Sequence, residues 1–167
     1  ADRPFRVGDR INFKEYDGFV EDIGLRSTRL RLLSSHLVTI PNDELAHSDI
    51  ENIGQRTCIR RVADIHLPID TPRKGVETAL AIVNELIENH EGMDPDRPPR
   101  VFLVDFLPAA FVLRVTYWYH PPDRWAYYAF SEAFNLAVLR AFDKEGIQFS
   151  LPWRVAHTSL WSKKEPI

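Results

Sequence analysis

The sequence predicts an α+β chain: a small five-stranded β-barrel followed by a βαββαβ unit whose two helices cover one face of an antiparallel sheet. Three observations carry that prediction. Up to about residue 57, apolar residues alternate in short runs cut by glycine, which is the period of half-buried strands. Beyond Cys58 the runs lengthen, and two of them switch to the 3.6-residue period of helices. The composition, 44% apolar and 27% charged over 167 residues, suits ordered cores. The expected boundaries are 1–57 for the barrel, 58–157 for the α/β unit and 158–167 for a polar tail ending in "SKKEPI".

In the first region, "DRINF" (Asp9 to Phe13), "FVEDIGL" (Phe19 to Leu25), "TRLRLL" (Thr28 to Leu33) and "LVTIP" (Leu37 to Pro41) are strand-length, with β-branched or aromatic residues at alternate positions. Gly8, Gly18 and Gly24 punctuate them, and Ser34-Ser35 stands at hairpin spacing between the third and fourth. "PNDELAHS" reads as a turn with one helical turn, after which "DIENI" is a last short strand. Strands at this spacing suggest a small closed barrel.

From Cys58, "CIRRVADIHLPI" is a long strand. "DTPRKGVETALAIVNELIENH" is a helix, capped by Asp70 or Thr71, with Pro72 near its first position and a stripe of Val76, Leu80, Val83 and Ile87 widened by Ala79 and Leu86. "RVFLVDFL" and "AFVLRVTYWYH" form a hairpin about Pro108 and Ala109. The next helix, in "PPDRWAYYAFSEAFNLAVLRAFDKEG", takes Asp123 as cap and Gly146 as stop. Its stripe is Ala126, Phe130, Phe134, Ala137, Val138, Ala141 and Phe142. "IQFSLPWRVAH" supplies the last strand of the ferredoxin-like order.

The chemistry of the chain is read largely by exclusion. A formal net charge of -3 gives no global field for polyanions. One cysteine, Cys58, rules out an intrachain disulfide and paired-cysteine zinc sites, and a reducing compartment suits it. The opening "ADRPFRVGDR" lacks the apolar core of a signal peptide, and no run approaches the roughly 18 apolar residues of a membrane span, so the chain reads as a soluble segment of a longer protein. Phosphate-binding and nucleophile-elbow motifs are absent. The histidines (His36, His47, His66, His90, His120, His157) are dispersed, so no catalytic, cofactor or metal residues are assigned. Asp64 and His66 share a strand face and form the one acid–base pair to test, against a plain surface pair. Arg29 and Arg31 project together from a strand face, as an RNA-binding stripe or as partners of the nearby Glu21 and Asp22. "YWYH" is a base-stacking platform or core: Tyr117 and Tyr119 alternate with Phe111, Leu113 and Val115 on a core face, leaving Trp118 with Arg114 and Thr116.

Taken together, "PFRVGDRI", "GFVEDIGLRSTRLR", "LVTIPN" and "IENIGQR" resemble the β-domain of the MscS family of small-conductance mechanosensitive channels. The second half is similar to that family's cytoplasmic α/β domain, including "EGIQFSLPWRVAH". The resemblance runs from Pro4 to about His157. It implies an Sm-like barrel and a ferredoxin-like domain that form a vestibule in the cytoplasm, below pore helices absent from this sequence. It further implies a homoheptamer in the cell (inner) membrane that opens under tension to release ions and small osmolytes in hypoosmotic stress, with no cofactor, no enzymatic step and no nucleic acid. A soluble RNA-binding module of the same two folds is the alternative. The residues of the barrel motif, which are also candidates for subunit contact, are Gly18, Gly24, Arg26, Thr28, Arg29, Arg31, Pro41 and Asn42. Gly18 and Gly24 are expected to permit bends through positive φ or close backbone approach. Thr28 suits a strand start, Pro41 a strand end, and Asn42 a bond to its own backbone that caps the next turn. Ser34-Ser35 stands where relatives often have Asp-Gly, and Leu151-Pro152-Trp153 where they often have a Pro-aromatic-Pro arrangement.

Overall fold

The computed structural model describes residues 4–150. Two compact units divide the chain, Ala1–Thr57 and Cys58–Ile167.

The first unit contains strands β1 (Arg10–Phe13), β2 (Tyr16–Ile23), β3 (Ser27–Leu32) and β4 (Leu37–Pro41), the short helix α1 (Asn42–Ala46) and the two-residue strand β5 (Glu51–Asn52). All neighbouring strands are antiparallel, in the order β4-β3-β2-β1-β5. Alternation puts Ile11, Phe13, Val20, Leu30 and Ile40 on one face, where they pack with Phe5 and Leu45 into a single core. The expected closure is not made by hydrogen bonds, because β4 and β5 do not pair among the described residues. A two-residue strand offers too few ladder groups to complete the ring.

The second unit contains β6 (Ile59–Pro68), α2 (Arg73–Ile87), β7 (Arg100–Leu107), β8 (Ala110–Tyr119) and α3 (Arg124–Glu145). Its sheet has the order β6-β8-β7, the split arrangement in which the central strand comes last in sequence. Leu113, Val115, Tyr117 and Tyr119 of β8 meet Val76, Ala79, Val83 and Ile87 of α2 and Phe130, Phe134, Val138 and Phe142 of α3. Asp123 caps α3, its Oδ1 accepting the Ala126 N–H at 2.7 Å, and Gly146 ends the helix at φ 68°. For α2 the cap differs from expectation. Pro72 itself occupies the N-cap, with no side-chain bond, so neither Asp70 nor Thr71 caps the helix. Ile147 to Ser150 leave α3 without forming a strand, although the Ser150 N–H donates to the His66 carbonyl of β6, on the edge away from β8 among the described residues. Residues 151–157 of the expected last strand, with Leu151, Pro152 and Trp153, and the tail 158–167 lie outside the described residues.

Candidate functional site

Gly24, Arg26, Thr28, Pro41 and Asn42 of the barrel motif meet at one turn, whereas Gly18, Arg29 and Arg31 lie along the β2–β3 ladder. Gly24, Leu25, Arg26 and Ser27 connect β2 to β3, with the Gly24 N–H donating to the Ser27 carbonyl at 2.8 Å. Asn42, the first residue of α1, ties this turn down three ways. Its backbone N–H donates to the Arg26 carbonyl at 2.9 Å, its Nδ2 donates to the Gly24 carbonyl at 2.9 Å, and its Oδ1 accepts the Thr28 hydroxyl at 2.8 Å. Thr28 is 1% exposed, so its hydroxyl requires a partner inside the fold, and Asn42 supplies it. Asn42 therefore spans a neighbouring turn where the sequence suggested a bond to its own backbone. Pro41 ends β4 opposite Ser27 and is the N-cap of α1, again with no side-chain cap bond. Outside the clamp the turn presents Leu25, fully exposed, and Arg26, also exposed.

The two glycines act by proximity. Neither Gly18 nor Gly24 has a positive φ; a Cβ on Gly18 would lie 2.3 Å from the Arg31 carbonyl oxygen, and one on Gly24 would lie 3.1 Å from the Ser27 carbonyl. The bend in β2 comes instead from a register shift between Val20 and Asp22. Strict alternation would turn one of two consecutive acids inward; the extra residue leaves both Glu21 and Asp22 exposed. Each then serves one arginine. Asp22 lies opposite Arg29, Oδ2 to Nη2 at 3.6 Å, and Glu21 receives Arg31 through Nε at 3.1 Å and Nη2 at 3.0 Å. Arg31 also donates to the Ser35 carbonyl at 3.1 Å. The bidentate Arg10–Asp17 pair, both bonds 2.8 Å, and the Lys14–Glu44 pair extend the same pattern across the unit. The Glu44 hydrogen bond pushes the Lys14 ammonium pKa up, and the bonds from the Asn52 amide and the Arg6 N–H hold the Asp9 carboxyl below its ordinary value.

In the second unit the acid–base pair is not assembled. Asp64 accepts Nε and Nη2 of Arg114, directly opposite on β8, at 2.8 and 2.9 Å. That hydrogen bonding holds the Asp64 carboxyl below its ordinary range, with the charges of Arg114 and His66 adding to it against burial. His66 lies opposite Val112. Tyr117 and Tyr119 are buried in the helix-facing core, as alternation required, whereas Trp118 is half-buried with the Arg60 guanidinium 6.0 Å from its ring. Burial pushes the Tyr119 and Tyr127 phenols above their ordinary values. His90 sits in this aromatic core, 4.9 Å from Phe130 and 5.4 Å from Tyr117, a placement its isolated position in the sequence did not announce. Among the described residues, no group of three or more histidine, cysteine, aspartate or glutamate side chains is placed to hold a metal ion, and no helix is long and apolar enough to cross a membrane.

The motifs on which the resemblance rested thus fold into a turn clamped by Asn42 and acids arranged around an irregular β2, with a split α/β unit after them. Two family models match in succession: the mechanosensitive ion channel β-domain over residues 1–55, and the C-terminal domain of the mechanosensitive channel MscS over residues 62–149. The chain belongs to the MscS family. The small-conductance mechanosensitive channel MscMJ of Methanocaldococcus jannaschii is 36% identical over 151 residues, covering 90% of this chain and 43% of the relative. An MscS family protein of Aquifex aeolicus is 31% identical over 99% of the chain and 44% of its own length. The chain thus spans less than half the length of these relatives. Two solved structures share the fold. Arabidopsis thaliana MSL1 has a TM-score of 0.80 at 19% identity, over 90% of this chain and 54% of that one. Helicobacter pylori MscS in its closed state has a TM-score of 0.72 at 22% identity, over 89% and 56%.

Proposed function

We propose that this chain is the cytoplasmic region of a mechanosensitive channel, the vestibule through which ions and small osmolytes pass when membrane tension opens the pore during hypoosmotic stress. The observation that carries this reading is the succession of both units, in order, as two parts of one channel family. The full-length protein would lie in the cell (inner) membrane, catalyse no bond-making step, and use residues 1–57 and 58–157 as separate domains of a ring.

What supports assembly is the surface of the second unit. β7 is an edge strand, and it exposes Phe102 at 59%, Val104 at 42% and Phe106 at 68%. Apolar side chains along an unpaired edge are a liability in a monomer and an asset at a subunit contact. A heterologous contact repeated around an axis closes into a ring of fixed number, and seven is the number proposed. The β unit contributes a stiff element to such a ring, since Asn42 ties the β2–β3 turn to Thr28 and Gly24 from within the unit. Arg26, exposed at that turn, is then the motif arginine most available to a neighbour, because Arg29 and Arg31 already contact acids.

The test is light scattering of the full-length protein in detergent. A protein mass of seven subunits is expected, and a monomer or dimer overturns the proposal. Tension-gated currents in membrane patches containing that protein test the activity; their absence sinks the channel reading. RNA binding finds no support, because the relatives are channels and the stripe it needs, Arg29 and Arg31, is paired with carboxylates.

A further inference from the structure

An open groove of about 410 Å³ lies between β6 and α3, lined by Arg61, Tyr127, Tyr128, Ser131, Glu132, Asn135 and Leu136. Arg61 is half-buried on its β6 side and is held by neutral groups. Its Nη1 donates to the Tyr117 hydroxyl at 3.1 Å and its Nη2 to Asn135 Oδ1 at 3.0 Å, with its charge 5.8 Å from the Tyr117 ring. The Tyr117 hydroxyl is shared in turn with Ser131 Oγ at 2.9 Å. This chain of bonds fixes the guanidinium in place, yet no carboxylate stands within ion-pair distance of it among the described residues. A fixed, partly desolvated cation without a counter-ion attracts an anionic group more strongly than a solvated surface arginine does.

The opposite charge stands on the same wall. Glu132 is exposed and likewise has no ion pair among the described residues, and it precedes Asn135, the residue that holds Arg61, by three positions. Arg61 and Glu132 therefore line one groove without forming an ion pair among the described residues. Tyr128 and Leu136 lie one turn to either side of Glu132, and the Tyr127 and Tyr128 rings are 5.4 Å apart. Aromatic faces beside a carboxylate favour an ammonium group, and Leu136 adds an apolar wall.

We infer that this groove binds a small zwitterion of the α-amino acid class, its carboxylate on Arg61 and its ammonium between Glu132 and the tyrosine rings. The site lies within one unit and does not depend on the channel reading. The apolar lining suits a branched aliphatic side chain, so L-leucine is the probe. Two analogues divide its charges: 4-methylpentanoate keeps the carboxylate without the ammonium, and L-leucinamide keeps the ammonium without the carboxylate.

The experiment is a titration of the isotope-labelled 167-residue chain, followed by the amide signals of residues 127–136. Leucine is expected to saturate these shifts at low-millimolar concentration, with each analogue at least about tenfold weaker, as loss of a charge-assisted contact implies. Arg61→Gln should weaken leucine and 4-methylpentanoate together. Glu132→Gln, at an exposed position where folding is not at issue, should abolish the preference for leucine over 4-methylpentanoate. Absence of leucine-dependent shifts overturns the inference, as does equal binding of leucine and either analogue. Shifts at these residues that follow protein concentration alone would show a second copy filling the groove, and would overturn it too.

Discussion

The two units solve the problem of buried polarity in opposite ways. In the first, polar groups are structural ties within a small core: Thr28 is buried because Asn42 meets its hydroxyl, and the outer charges are matched across strands. In the second, the core is an aromatic cluster of Tyr117, Tyr119, Phe130 and Phe134, and charge pairing outside it is sparser among the described residues. Apolar and ionic groups remain on its surface, including Phe102, Phe106 and the wall around Arg61. A small core relies on geometry and hydrogen bonds, whereas a large one has surface left over for partners and ligands.

Substitutions can break this contrast or sharpen it. The largest loss is expected for Phe142→Ala, which removes a fully buried ring from the second unit and should cost about 3–5 kcal/mol. All four tryptophans lie beyond residue 57, so fluorescence-monitored urea unfolding reads that unit directly. Gly18→Ala should cost about 3 kcal/mol or less, depending on how far Arg31 can retreat from the new methyl group. Its effect should appear in the amide signals of the first unit while the tryptophan transition stays put; a shared transition would show that the units do not unfold separately. Asn42→Ala leaves the Thr28 hydroxyl and the Gly24 carbonyl without their partner, at about 1–3 kcal/mol by the same amide readout.

Two smaller effects complete the series. Ser35 holds φ at 70° in the β3–β4 turn, so Ser35→Gly should raise stability by about 0.5–1 kcal/mol. Asp64→Asn should lower the second unit's stability at pH 7 by about 0.5 kcal/mol, the usual scale of an exposed pair. Since the folded carboxyl titrates below the unfolded one, that increment is present above the unfolded value near pH 4 and fades as pH falls through the folded value. The difference between the two proteins should therefore vanish in acid, and a gap that persists there would assign the effect to packing.

Much of the framework was legible because it is periodic. Alternation marked the inward residues of β1 to β4, the helical stripe marked Val76, Val83 and Ile87, and Asp123 and Gly146 bracketed α3. The same rules could suggest that Arg29 and Arg31 had acidic partners without saying which acid served which arginine, because that assignment depends on the irregularity in β2. Contacts between distant positions stayed hidden: Asn42 reaches Gly24 across 18 residues and Arg114 reaches Asp64 across 50. The groove by α3 was equally silent, since the residues that line it fall outside the apolar stripe read for that helix and only the fold brings Arg61 beside them.

The bulge in β2 also determines how this surface responds to salt. Electrostatic fields between separated charges weaken or strengthen as the screening length moves between about 10 Å at 0.1 M and about 30 Å at 0.01 M. By giving Arg29 and Arg31 an acid each at 3.6 and 2.9 Å, the irregular strand keeps its strongest interactions well inside that length. Dilution or concentration of the surrounding electrolyte then changes these short, exposed pairs less than it changes the fields between more widely separated charges.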